Sequence, residues 1–304
     1  MKIELGVKTD PIEYRYSFDW LFETLRLHSI RFVQLGSFFE LYWVEDDYFH
    51  RLRETAETFG IRIKSCFTAH RELGGFLTGD PFLEKAARNA YERFIHVASI
   101  VGADYMGSNP GAVYRDRIEG KRHGTRCYLN HMKELSAVAY EKGLKALTIE
   151  PMSCLAEPPS LPEEIDEMMG ELADHHAMNP GGTTPVFLCG DISHGVFDRQ
   201  RQKIHDHYDL FAYEIPHMAE FHFKNTDDYY QTTFGFSPEE CKHGVVDLKK
   251  LKNLIESRGT QWPVEDVVGY LELTGPKLGR DYSDPELLSL MTTSIAALKE
   301  AFAD

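Results

Sequence analysis

The chain lacks paired cysteines. Its five, Cys66, Cys127, Cys154, Cys189 and Cys241, are odd in number, far apart and without any CxxC spacing, which argues against a disulfide framework or a zinc ribbon and fits reduced thiols in a cytoplasm. Long hydrophobic stretches are also missing: nowhere do about 18 apolar residues follow one another, and the opening MKIELGVKTD has no signal-peptide core. A soluble, unexported, cytoplasmic protein with no membrane partner is therefore expected. Positive charge is scarce, with 33 Lys and Arg against 48 Asp and Glu and a formal net charge of −15, which disfavours a nucleic-acid or anionic-membrane surface. Between the first strand and the first helix, KTDPIEYRYS contains neither GxGxxG nor a P-loop, so an open doubly wound nucleotide-binding fold is not indicated.

What is present is a regular alternation of strand-like and helix-like segments. Strands are expected at KIELGVK (2–8), IRFVQLG (30–36), IRIKSCFTAH (61–70), ADYMGSN (103–109), KALTIEP (145–151), VFLCGDISHG (186–195), MAEFHFKNTD (218–227) and VVGYLELT (267–274). Several are continuous apolar runs, as strands covered on both faces require. Between them lie helical patterns: one behind the N-cap Ser17, one through Phe49 to Phe59, and one through Leu83 to Val101 that stops at Gly102. Others follow a Gly-, Pro- and Arg-rich loop at 109–124, then at 162–178, 200–214 and 247–258, with a last one from Leu287 to Phe302. With 304 residues and 42% hydrophobic content the chain can bury one large core. Eight strand-helix units without a linker or repeat match a single (β/α)8 TIM barrel over 1–304, whose catalytic groups lie at the carboxyl ends of the strands.

Four of those strands end in metal-binding residue types. VFLCGDISHG ends in Asp191 with His194 three residues on, ALTIEPM carries Glu150, AEFHFKNTD carries His222, and VVGYLELTG carries Glu272. In a parallel barrel these ends converge, so Glu150, Asp191, His222 and Glu272 make a three-carboxylate, one-imidazole site for one divalent ion. With no thiolate in the set, Mn2+ or Mg2+ is favoured and Zn2+ or Co2+ is also accommodated. A single acidic residue at a strand end is more often a helix cap or a surface charge; four in register are harder to explain that way.

The ordered series IEP, GDISH, FHFKNTD and LELTG resembles the xylose-isomerase-like sugar isomerase and epimerase family, in particular its tagatose 3-epimerase type, over nearly the whole chain. The resemblance implies that Glu150, Asp191, His222 and Glu272 bind the ion, that Glu150 and Glu272 also form the acid/base pair, and that His194 contacts a substrate oxygen. Such epimerases usually carry an arginine six residues after the metal-binding histidine. Asp228 stands there in this chain, and Lys224 lies two residues after His222. Independently of the resemblance, removing a proton beside a carbonyl needs a cation to stabilise the developing charge and carboxylates to accept and return the proton.

The run HFKNTDDYYQTTFGFSPEE further resembles the tetrulose-4-phosphate epimerases of erythritol breakdown. A small ketose or ketose phosphate is therefore the expected substrate, a tetrulose 4-phosphate the specific choice, with His70, Lys224 and Arg280 as further substrate contacts beside His194. Arg115, Arg117 and Lys277 lie in loops on the same side, each by itself a solvated surface residue, and Phe39, Trp43, Tyr229 and Tyr230 could close the space around a short sugar. His131, His175, His176 and the HDHYD run at 205–209 are read as solvated, Trp20 as core packing, and Cys66 and Cys189 as small buried hydrophobes. The same constellation can also run a lyase such as an inosose dehydratase. An endonuclease IV-like phosphodiester hydrolase is a relative by fold that would need several more histidines at strand ends, where only His70 is clear, and a nucleic-acid partner. A catalytically silent barrel that binds a sugar or a regulatory partner is a third reading, against which the acid/base glutamates count. Barrels of this family commonly pair, so a homo-oligomer is expected.

Overall fold

The computed structural model describes residues 2–68, 71–275 and 286–302. Eight parallel strands close into a barrel: β1 (Lys2–Lys8), β2 (Phe32–Gly36), β3 (Arg62–Phe67), β4 (Tyr105–Ser108), β5 (Ala146–Ile149), β6 (Val186–Asp191), and, after a small two-stranded hairpin β7 (Val196–Phe197) and β8 (Lys203–His205), β9 (Met218–Phe223) and β10 (Asp266–Leu271). The order around the barrel is β1-β10-β9-β6-β5-β4-β3-β2, with β1 pairing β2 on one side and β10 on the other. Helices α1 (Phe18–Leu27), α2 (Asp46–Thr58), α3 (Pro81–Val101), α4 (Lys121–Glu141), α5 (Pro162–Met178), α6 (His207–Glu214), α7 (Leu248–Ser257) and α8 (Leu287–Ala301) connect the strands. Among the described residues no helix is long and apolar enough to cross a membrane.

Local chemistry explains the boundaries. Ser17 Oγ accepts from Trp20 N at 3.2 Å to open α1, and Asp80 Oδ1 accepts from Phe82 N and Leu83 N to open α3, with Pro81 in its first turn. Gly102 ends α3 at φ +73, a left-handed conformation that costs glycine least. The inner stripe of α3 buries Tyr91, Phe94, Ile95 and Ala98 against the barrel, and truncating one of its aromatics, as in Phe94→Ala, should cost about 3–5 kcal/mol.

Two segments differ from the sequence reading. The helix expected over 200–214 starts only at His207, because Asp198 Oδ1 accepts from Gln200 N and Gln202 N, each at 2.8 Å, and folds 198–202 into the turn of the β7–β8 hairpin. Asp206 then caps α6 through Tyr208 N at 2.9 Å. The loop expected over 109–124 is shorter, since a 3-10 turn spans Arg115–Gly120 and α4 begins at Lys121. The HDHYD run is not a solvated stretch: His207 is buried, 3.3 Å from Tyr230 Oη and packed against the Tyr208 ring. His131 is likewise half-buried, stacked on Phe76 and bonded to Glu84 at 2.7 Å. Trp20 packs against the core, and Cys66 and Cys189 are buried, as expected.

Side chains alternate along each strand, so every second residue enters the barrel. One inward layer is polar. Glu220 Oε1 accepts from Ser65 Oγ at 3.0 Å and Thr148 Oγ1 at 2.8 Å, and Gln34 Nε2 reaches Ser65 Oγ at 3.4 Å. Burial pushes the Glu220 carboxyl up, despite those hydrogen bonds. Two residues further along β9 and β5 stand His222 and Glu150, at the mouth.

Candidate active site

The four strand-end residues meet. One ligand atom from each of Glu150, Asp191, His222 and Glu272 lies within 4.8 Å of the other three, with Glu272 half-buried and the rest buried. Asp191 stands directly opposite His222 in the β6–β9 register, and His222 opposite Tyr270 in β10. Backbone bonds extend the strands by one residue to aim the glutamates: Glu150 N donates to Ser108 O at 3.1 Å, and Glu272 N to Phe223 O at 3.0 Å.

His222 organises the centre. Its Nε2 lies 2.9 Å from Gln34 Oε1, which can only accept, so Nε2 carries the proton; Gln34 is oriented in turn by Ser65. Phe67 packs edge-on to the imidazole. The ring's Nδ1 therefore turns a lone pair toward Glu150 Oε1 at 3.1 Å and Glu272 Oε2 at 3.2 Å. A lone pair facing two carboxylate oxygens is satisfied only by a proton or a cation between them. Together with the oxygen-rich donor set and its spacing, this fits a hard divalent ion with bonds of about 2.0–2.4 Å.

Two buried lysines balance the carboxylates. Lys224 Nζ lies 2.7 Å from Asp191 Oδ2 and 3.5 Å from Glu272 Oε1. Lys8 Nζ lies 2.8 Å from Glu272 Oε2 and 3.1 Å from Asp10 Oδ2. Burial alone would lower both ammonium groups, but Asp191 and Glu272 raise that of Lys224, and Asp10 and Glu272 raise that of Lys8 well above the ordinary lysine value. Conversely, burial would raise the Glu272 carboxyl, yet Lys224 and Lys8 hold it well below the usual range. Burial would also raise Glu150 and Asp191; a proton held between His222 Nδ1 and Glu150 lowers the first, and the charges of His194 and Lys224 lower the second.

Asp191 Oδ1 accepts from Ser193 N at 2.8 Å, and the turn that follows brings His194 over the site. His194 Nδ1 donates to Pro151 O at 2.7 Å, and its Nε2 faces both Asp191 Oδ2 and Lys224 Nζ at 3.3 Å. Both side chains line a pocket of about 1050 Å3, together with Arg71, Arg115, Tyr229 and Tyr230. Phe39 and Trp43 do not close this space: they border a separate groove with Tyr42, Glu72 and Arg93, and Trp43 is 76% exposed. His70, Lys277 and Arg280 lie outside the described residues. Lys8 and Gln34 did not stand out in the sequence, and the signal that identifies them is their place at the inward, carboxyl-terminal side of β1 and β2.

A closed parallel barrel with three carboxylates and an imidazole at its carboxyl-terminal mouth defines the class: the chain has the xylose-isomerase-like (β/α)8 fold. Among solved structures it is similar to a Rhodospirillum rubrum protein provisionally named a xylose isomerase, with 21% identity over 98% of this chain and 99% of that one and a TM-score of 0.78. It is also similar to D-psicose 3-epimerase from Clostridium cellulolyticum H10, solved with D-tagatose, with 13% identity over 98% of each chain and a TM-score of 0.69. A third is 3-keto-D-glucoside 4-epimerase from E. coli, with 12% identity over 98% of this chain and 100% of that one and a TM-score of 0.65. No protein-family model and no curated protein sequence matches the chain.

Proposed function

We propose that this protein is a divalent-metal-dependent epimerase or isomerase of a small ketose or ketose phosphate, working by proton transfer through an enediolate, with a tetrulose 4-phosphate as the specific substrate. The observation that carries this reading is the convergence of Glu150 and Glu272 on one imidazole nitrogen, at 3.1 and 3.2 Å, beside a pocket whose lining residue Lys224 lies 2.7 Å from Asp191. The solved neighbours named as sugar epimerases support it through their fold. Glu150, Asp191, His222 Nδ1 and Glu272 would hold the ion, with Mn2+ or Mg2+ suiting the donors best. When bound, the ion polarises the substrate's carbonyl and so stabilises negative charge as a proton leaves.

The chain's own residues do the rest. Glu150 and Glu272 stand at the ends of β5 and β10, three places apart around an eight-strand barrel, and therefore approach a substrate at the mouth from different sides. Their lowered carboxyl pKa values keep them ionised, so one can accept the proton next to the carbonyl while the other, once protonated, returns one to the opposite face. His194, oriented by its bond to Pro151 O, contacts a substrate oxygen through Nε2, and Lys224 donates to a neighbouring oxygen. His70 and Arg280 are assigned to the same substrate shell, and assembly into a homo-oligomer is part of the proposal.

The test is a panel of free and phosphorylated C4 to C6 ketoses, incubated with the Mn2+-loaded protein and followed by NMR for product. Interconversion of a tetrulose 4-phosphate is the expected result. If free hexuloses turn over while every phosphorylated tetrulose fails, the substrate is of the tagatose 3-epimerase type. If no ketose turns over, the epimerase reading is wrong.

A further inference from the structure

The pocket beyond His194 and Lys224 is charged oppositely to the rest of the molecule. Arg71, Arg115, Lys121, Arg199, Arg201 and Lys224 line it against only Glu157 and Asp198, in a chain whose formal net charge is −15. Some of these cations are already matched. Lys121 is bonded to Glu164, Lys224 to Asp191, and Arg71 to Glu157 at 3.0 Å. Asp198 is committed to the backbone N–H groups of Gln200 and Gln202. Arg115 donates to Cys154 Sγ at 3.1 Å, a weak acceptor that leaves its charge unbalanced. Arg199 and Arg201 have no ion-pair partner among the described residues.

These last two arginines sit at the tip of the β7–β8 hairpin, and the hairpin is anchored. Phe197 packs against Tyr229 and Tyr230 with ring centroids 5.6 and 5.5 Å apart, and Lys203 lies over the Phe197 and Tyr230 rings. Tyr230 comes this close because residue 195 is glycine: a Cβ there would stand 2.1 Å from the tyrosine ring. The turn itself is closed by Asp198 N to Gln202 O at 2.9 Å and Arg201 N to Asp198 O at 3.1 Å, with Arg201 at φ +59. The arginine backbones are therefore held at the pocket wall before any ligand arrives, which reduces the ordering cost of binding.

We propose that this pocket holds a phosphate subsite: Arg199 and Arg201 at the hairpin tip, with Arg115 lining the same pocket, hold the phosphoryl group of a phosphorylated sugar whose carbonyl end faces the four-residue centre. The identity of that second end rests on the epimerase reading; the phosphate grip rests on the pocket alone. A neutral sugar gains little from unpaired guanidinium groups, whereas a phosphate dianion matches their planar forks in charge and geometry. In a molecule this acidic, a local basic wall is also what admits an anionic substrate.

The experiment titrates inorganic phosphate into the Mn2+-loaded protein and into an Arg199→Gln, Arg201→Gln double variant, with acetate as a carboxylate control. Both side chains are exposed, so the variant folds as the parent does. Phosphate affinity should fall at least about tenfold in the variant, acetate should bind the parent at least about tenfold more weakly than phosphate, and the ratio of kcat/KM for phosphorylated over free ketose should fall at least about tenfold. Equal phosphate affinity in the two proteins, or no phosphate binding to the parent, overturns the subsite; acetate binding as well as phosphate overturns its assignment to a phosphoryl group. If no ketose of either kind reacts but the phosphate titration behaves as expected, the subsite stands and the epimerase reading falls. If ketoses turn over and the double substitution changes neither phosphate affinity nor the kcat/KM ratio, the subsite falls and the epimerase reading stands.

Discussion

Lys8 Nζ lies 2.8 Å from Glu272 Oε2 and so joins the last residue of β1 to the residue just beyond β10, across the pair of strands that closes the barrel. A buried ammonium with two carboxylate neighbours, Glu272 and Asp10, ties the strand-end cluster to the seam of the fold. Truncating one member of a buried pair leaves the other charge uncompensated and costs about 3–5 kcal/mol. Lys8→Met should lose stability of that order in urea unfolding with chelator present, and less with saturating Mn2+, because the ion supplies charge beside Glu272. No loss in chelator would show that the pair is not structural.

Gln34 sets which nitrogen of His222 faces the carboxylates. Gln34→Leu removes the acceptor at Nε2 and frees the ring to change tautomer, so Mn2+ affinity should fall by about 10–100-fold, the size of effect typical of such supporting partners. Titration followed by electron paramagnetic resonance measures it directly. Unchanged affinity would mean that the ring orientation is secured by Phe67 and Cys189 alone.

His207 gives a pH dependence of stability. Burial pushes its imidazole down to about 4, below its unfolded value of about 6.5. Between those limits the unfolded chain binds more protons than the folded one, so stability rises with pH there, is fully present above about 6.5, and is lost as pH falls toward about 4. The loss is on the order of 3 kcal/mol. His207→Phe should flatten this part of the curve of urea midpoint against pH; an identical slope in the variant would assign it to other groups.

The barrel and the four-residue cluster are legible in the sequence because each of Glu150, Asp191, His222 and Glu272 stands at the end of an apolar run, where an abrupt Glu, Asp or His has few structural reasons to stand. Lys8 and Gln34 are not, for opposite reasons. Lys8 ends KIELGVK and looks like any solvated strand terminus, while Gln34 is a lone polar residue inside IRFVQLG; only closure of the barrel shows that both point inward at the mouth. Residues 200–214 mislead because periodicity cannot register that one carboxylate, Asp198, captures two backbone N–H groups and makes a hairpin of what would otherwise start a helix. That hairpin carries Arg199 and Arg201 to the pocket, so the same local event hides both the burial of His207 and the basic wall.

Removing the metal should abolish turnover yet leave the fold, because the barrel buries its own apolar core, from Val7 and Val33 to Leu271 and Ile295, independently of the centre. Chelator-treated protein should keep its far-ultraviolet circular dichroism and regain activity with Mn2+. Loss of the helical signal on chelation would make the ion structural.

Solvent deuterium uptake tests the proton-transfer role of the two glutamates most directly. With the Mn2+-loaded protein and the ketose identified by the panel in D2O, the carbon next to the carbonyl should acquire deuterium during turnover, and Glu150→Gln and Glu272→Gln should each slow turnover by about 10²-fold or more while still binding substrate. Product formed with no deuterium at any carbon, or full activity in both variants, would contradict proton transfer through Glu150 and Glu272.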